Sequence, residues 1–207
     1  MVTVTANVPI QLPPVAATAT LSQTVYWSQD SRLARYTLGL PQQFNQDVTA
    51  VWRGQTDLVR VNGSGQTYTA SSQISQATPD LLQQTAVADI PAAILARYTT
   101  LPDGVPQRVL DLAQEVAGEQ ANPFDQARAL EQFLRQYSYS LAVKSPPADT
   151  DPVDYFLFEQ QAGYCDFYAS AMVVLARAIG LPARMAVGYL PQLPAVDGIQ
   201  TIYQING

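Results

Sequence analysis

Two spacings of apolar positions divide the chain near residue 78. Ahead of it, β-branched and aromatic residues alternate with polar ones: Val2, Val4, Ala6, Val8 and Ile10, then Thr24 to Trp27, then Arg35 to Leu38. A period of two places alternate side chains on one face, the mark of half-buried strands. Asp57 to Val61 and Gln66 to Ala70 flank Asn62-Gly63-Ser64-Gly65, whose residues accept positive φ, so a hairpin is predicted there.

From Thr78 onward the period becomes that of a helix. Thr78-Pro79, Asn122-Pro123 and Asp151-Pro152 each set a capping side chain before a proline suited to the first helical position. Gln107 to Ala117 puts Val109, Leu112, Ala113 and Val116 on one face, with Gly118 at its end; Pro123 to Tyr137 does the same with Ala127, Leu130, Leu134 and Tyr137. Leu141 to Thr150 reads as a loop. The last third predicts a helix after Cys165 with an apolar face of Phe167, Ala171, Val174, Leu175, Ala178 and Ile179, ended by Gly180 and Pro182. A strand over Arg184 to Tyr189, a connection over Leu190 to Gly198 and a strand over Ile199 to Ile205 follow. The expected class is α+β: a β-rich accessory domain over 1–78, then helices packed on an antiparallel sheet over 79–207.

Composition narrows the function. A net charge of −6 and a sequence pI near 4.4 argue against a nucleic-acid partner, because phosphate neutralisation needs a basic surface. The first part holds four arginines and three aspartates, so the negative charge lies in the second. With one cysteine and no histidine, the chain can form neither an internal disulfide framework nor a Cys-His pair of its own. Asp149, Asp151 and Asp154 cluster, but Asp151 reads as a helix cap and Pro146-Pro147 breaks any regular metal loop, so no metal and no cofactor are assigned. No apolar run approaches the roughly 20 residues of a membrane span, and the start lacks a signal-peptide pattern.

Cys165 is the candidate nucleophile. A sulfur at the first turn of a helix faces unpaired backbone N–H groups and the positive end of the dipole, which favour an anion and a developing oxyanion alike. Gly163 is expected to give room for substrate at the sulfur. The bland alternative is a buried cysteine acting as a small hydrophobe, with Asp166 a first-turn carboxylate favoured by the dipole. Tyr164 and Tyr189 are candidate walls of a groove around the thiol, or core fillers. Arg184 is expected to pair with Glu159 or Asp154, bracing helix against strand.

The run Gly163-Tyr164-Cys165-Asp166, the helix ending at Gly180, Pro182-Ala183-Arg184 and Gly188-Tyr189 together resemble the bacterial transglutaminase-like core, whose superfamily shares a Cys-His-Asp site with papain-like peptidases. The β-rich first part also looks like the region ahead of the core in large membrane-anchored members. The resemblance implies that Cys165 forms a thioester with a protein or peptide amide, resolved by water or an amine. It also implies a general-base His on the strand after the Gly-Tyr strand and an orienting Asp on the next. The chain reaches Asn206-Gly207 without either, so truncation before the His is expected, and with it negligible activity for these residues alone. The alternative is a non-catalytic extracytoplasmic module that binds peptides or the cell envelope. A membrane-anchored parent would place this region outside the cytoplasmic membrane. An unpaired last strand is expected to promote self-association through its edge.

Overall fold

The computed structural model describes residues 1–26, 34–54 and 57–188, together with the backbone of 195–197 and 200–202. The chain divides into two units, Met1–Ala77 and Thr78–Gly207, and each has its own apolar cluster.

The first unit contains β1 (Val2–Val4), β2 (Thr18–Tyr26), β3 (Leu40–Phe44), β4 (Val48–Arg53), β5 (Asp57–Asn62) and β6 (Thr67–Ser75). They form two antiparallel three-stranded sheets, ordered β1-β4-β5 and β2-β6-β3. The expected hairpin is therefore not made. Both of its strands exist, but β5 pairs with β4 while β6 sits between β2 and β3. The Asn62–Gly65 turn passes from one sheet to the other. The reason lies in the side chains: Leu58 and Val61 from β5 and Tyr68 and Ala70 from β6 are buried in the same cluster as Phe44, Val48 and Ala50. Inward residues of two facing sheets make that core, rather than neighbours in one ladder. Gly63 is needed because a Cβ there would stand 2.7 Å from Arg35 Nε.

Two further expectations are corrected here. Alternation from Val2 to Ile10 yields a ladder only over Val2–Val4, and Asn7 bends the chain with φ 60°. Arg35 to Leu38 is not a strand. The buried Tyr68 hydroxyl donates to Tyr36 O at 2.6 Å and accepts from Tyr36 N at 2.8 Å, holding this stretch as a strap. Arg35 lies beside it, its guanidinium 4.9 Å from the Tyr68 ring centroid.

The second unit begins with α1 (Pro79–Gln83), a short 3-10 turn at Val87–Asp89, and α2 (Ala92–Tyr98). Then come α3 (Gln107–Ala117), α4 (Pro123–Leu134), β7 (Ser138–Tyr139), α5 (Pro152–Asp154), β8 (Ala162–Gly163) and α6 (Cys165–Ala178). The three cap-proline starts are all present: Leu81 N donates to Thr78, Asp125 N to Asn122, and Val153 N and Asp154 N to Asp151. α3, α4 and α6 pack around Val109, Ala113, Leu130, Leu134, Ala171 and Leu175. Gly180 follows α6 with φ +83°, the left-handed position a glycine takes most cheaply.

Between α5 and β8 the helix widens. Tyr155–Gln160 forms a π turn, closed by a bond from Gln161 N to Phe156 O at 2.9 Å, and Gln161 turns out of it with φ 49°. β8 then pairs in parallel with β7. The expected strand over Arg184 to Tyr189 is not formed over the described residues 184–188, which carry no ladder assignment. In the expected connection, Ala195–Asp197 is instead a strand, β9, paired antiparallel with β10 (Gln200–Ile202). Tyr189 and the rest of the expected last strand lie outside the described residues. Among the described residues no helix is long and apolar enough to cross a membrane.

Candidate active site

Cys165 is the first residue of the 14-residue α6, and its side chain is exposed. Its position follows from the segment before it. The β7–β8 pairing, with Ser138 N donating to Gln161 O and Ser140 N to Gly163 O, fixes the approach to the helix. Gly163 is buried there because a Cβ would stand 2.8 Å from Phe167 Cβ and 3.1 Å from the Phe156 ring. Its role is thus close packing of chain against rings, in place of the expected clearance for substrate.

The first turn of α6 supplies what an attack on a carbonyl needs. Among the described residues the Cys165 and Asp166 N–H groups have no backbone partner, whereas Phe167 N donates to Tyr164 O. Cys165 Sγ lies 3.5 Å from Asp166 Oδ1, with the thiol as donor. One helix face, Cys165, Tyr168, Ala169 and Met172, lines a cleft of about 590 Å³ whose opposite wall is α4. That wall carries Phe124, Ala127, Arg128, Glu131, Leu134 and Arg135. Spacings of three, four and seven from Cys165 mark these α6 residues, a signal present in the sequence but hidden beside the more apolar buried face.

Tyr168 connects the cleft to the core. Its ring packs edge-on against Phe156 at 5.1 Å and stacks on Tyr139 at 6.3 Å. Its hydroxyl is buried without a hydrogen-bond partner among the described residues, and burial, with a contribution from Tyr139, holds it above the ordinary phenol range.

The remaining candidates are dispersed. Asp166 is exposed beside the thiol. The Tyr164 ring meets Phe167 edge-on at 5.0 Å and does not line the cleft. Arg184 sits by Tyr98, its guanidinium 5.7 Å from the ring centroid and Nη1 3.5 Å from the hydroxyl. The carboxylates expected to receive Arg184 are held instead by Arg108, which donates twice to Asp154 at 2.5 Å and once to Glu159 at 3.3 Å. The hydrogen bonds from Asp154 lead the causes that raise the Arg108 pKa above its ordinary value. Its guanidinium also lies 4.4 Å from the Phe158 ring centroid. Arg177, unmarked in the sequence reading, staples Ala183 O and Thr100 O. No group of three metal-ligating side chains occurs among the described residues.

An exposed cysteine opening a central helix at a cleft is the arrangement of a thiol acyltransferase, and residues 110–202 match the family model of the transglutaminase-like superfamily. That stretch of the chain is a transglutaminase-like core. Over 96 residues the chain is 44% identical to the uncharacterised protein YebA of Bacillus subtilis, a match covering 45% of this chain and 13% of that protein. Over 93 residues it is 37% identical to a protein-glutamine gamma-glutamyltransferase of Pseudomonas aeruginosa, covering 45% and 14%. Each match thus spans a small part of the curated relative. Among solved structures it is similar to the periplasmic domain of TgpA from Pseudomonas aeruginosa, with a TM-score of 0.60 and 26% identity over 88% of this chain and 60% of that one. The same domain bound to ethylmercury gives 0.59 and 25%, over 93% and 65%.

Proposed function

We propose that this chain carries the nucleophile of a transglutaminase-like thiol acyl transfer acting on a protein or peptide amide outside the cytoplasmic membrane. The observation that carries the reading is the exposed Cys165 at the start of α6, on the wall of the α4–α6 cleft. The Cys165 sulfur, as thiolate, attacks the amide carbon, and a C–S bond forms as the carbonyl becomes an oxyanion. The Cys165 and Asp166 N–H groups are the donors for that charge. The oxyanion collapses, the C–N bond breaks and the amine leaves with a proton. Water or a second amine then attacks the thioester and releases the thiol.

Proton transfer is the missing part. The chain contains no histidine, so the base must come from outside these residues. The 207 residues are therefore expected to be inactive alone, with the thiol still reachable. The extracytoplasmic placement draws support from the likeness to a periplasmic domain.

Iodoacetamide labelling followed by intact mass tests this reading. The folded chain should take up one carbamidomethyl group at Cys165 and release no ammonia from a glutamine peptide. A longer product of the same gene that includes a histidine should label faster near neutral pH and release ammonia. Protection of Cys165 until the chain is denatured, or brisk amide turnover by the 207 residues, would overturn it.

A further inference from the structure

The α4–α6 cleft also says what kind of chain it receives, an inference that rests on the acyl-transfer reading above. Its direction follows from neighbouring contacts. Ser138–Tyr139, just beyond α4, pairs with Ala162–Gly163, just ahead of α6, and Tyr137 meets Phe156, which in turn meets Phe167. The end of α4 therefore lies beside the start of α6, and the helices run antiparallel. Leu134 and Arg135 sit at the Cys165 end, Phe124 and Met172 at the other.

The two arginines on this wall differ. Arg135 is engaged by Glu131, Nε and Nη2 donating to one oxygen at 3.0 and 2.8 Å. Arg128 is exposed, and among the described residues it has no ion-pair partner; its guanidinium rests 5.7 Å from the Phe124 ring centroid. Asp125, whose carboxylate feels the Arg128 charge, is taken up by Gln83 and Asn122. At the thiol end Glu131 and Asp166 disfavour a second carboxylate. An unpaired cation at the far end of an apolar cleft, on a chain of net charge −6, is a local reversal of sign.

We infer that the cleft is an acyl-donor subsite for an extended peptide that is apolar next to its reacting amide and carries a carboxylate for Arg128. From Leu134 to Arg128 the helix rises about 9 Å, a distance that about three residues of extended peptide cover. The carboxylate is thus placed about three residues from the reacting glutamine.

Fluorescence anisotropy tests this with two labelled heptapeptides on the 207-residue chain carrying Cys165→Ala. Both have a central glutamine between leucines; one ends in glutamate at both ends, the other in lysine. The glutamate peptide should bind about fivefold tighter, the scale of one exposed charge pair made instead of opposed. Arg128→Glu should reverse the order, and Arg128→Gln should abolish the preference if the reversal unfolds the chain. Equal binding, no binding of either peptide, or an order unchanged by both substitutions would overturn the inference. In the unsubstituted chain, the bound peptide should slow iodoacetamide labelling of Cys165; binding without slowing would overturn the location. Failure of Cys165 to label at all would sink the acyl-transfer reading, while anisotropy still decides the charge preference.

Discussion

The first unit is held by bonds that cross tens of residues, whereas the helices of the second start on bonds spanning two or three. Tyr68 clamps Tyr36 and Gln23 donates to Ser72 in the former. In the latter, Thr78, Asn122 and Asp151 receive N–H groups within the next turn. The contrast teaches where each unit is vulnerable. A long-range tie has no substitute once removed, because no neighbour in sequence can reach the orphaned group. A cap is local and modest, and the buried face of its helix carries most of the stability.

The largest effect should come from that buried face. Leu175→Ala empties a fully buried position between helices and should cost about 2–5 kcal/mol in urea unfolding. Gly163→Ala comes next, at about 1–3 kcal/mol, since the new methyl meets Phe167 and Phe156; Cys165 labelling should change along with stability. Tyr68→Phe leaves Tyr36 N and O without their partner and should cost about 1–3 kcal/mol, read by hydrogen exchange around the strap. If it costs no more than a cap, the contrast between the units fails. Asn122→Ala should cost about 1 kcal/mol.

Asn122 also sharpens the pH dependence. Bonds from Gln83 and then Asn122 hold the Asp125 carboxyl below its ordinary pKa. Asp125 therefore stabilises the fold above the ordinary aspartate value of about 3.9, and that stabilisation is lost as pH falls through the depressed folded pKa. Acid titration of the Asn122→Ala variant should show a smaller loss. Smallest of all, Glu131→Ala should change stability by about 0.5 kcal/mol or less, as an exposed pair one turn apart.

The same contrast explains how much was legible beforehand. Helix starts were read from Thr78, Asn122 and Asp151 because cap and capped group are neighbours. Gln107–Ala117 was read from its apolar face, and Cys165 at the start of α6 from its place before an apolar helical stretch. The partner of β6 was not legible: the Asn62–Gly65 residues specify a turn, and only the burial of Tyr68 against β4 and β5 shows that the turn joins two sheets. Arg108 was overlooked because its carboxylates lie about fifty residues on, at Asp154 and Glu159. Arg184 was offered those same groups by its type alone. The cleft wall on α4 was equally silent, since Arg128, Glu131 and Arg135 read as an ordinary solvated face until α6 is set beside them.

The wide turn at Tyr155–Gln160 has its own consequence. Its bonds close over one residue more than those of a regular helix. Deleting a single residue there would let the backbone settle into ordinary α geometry, yet would swing whatever follows by about 100° around the axis. The number of residues in this short stretch, as much as their chemistry, thus works like a dial setting on the sulfur, and loss of one should leave helix content nearly intact while turning the thiol away from its cleft.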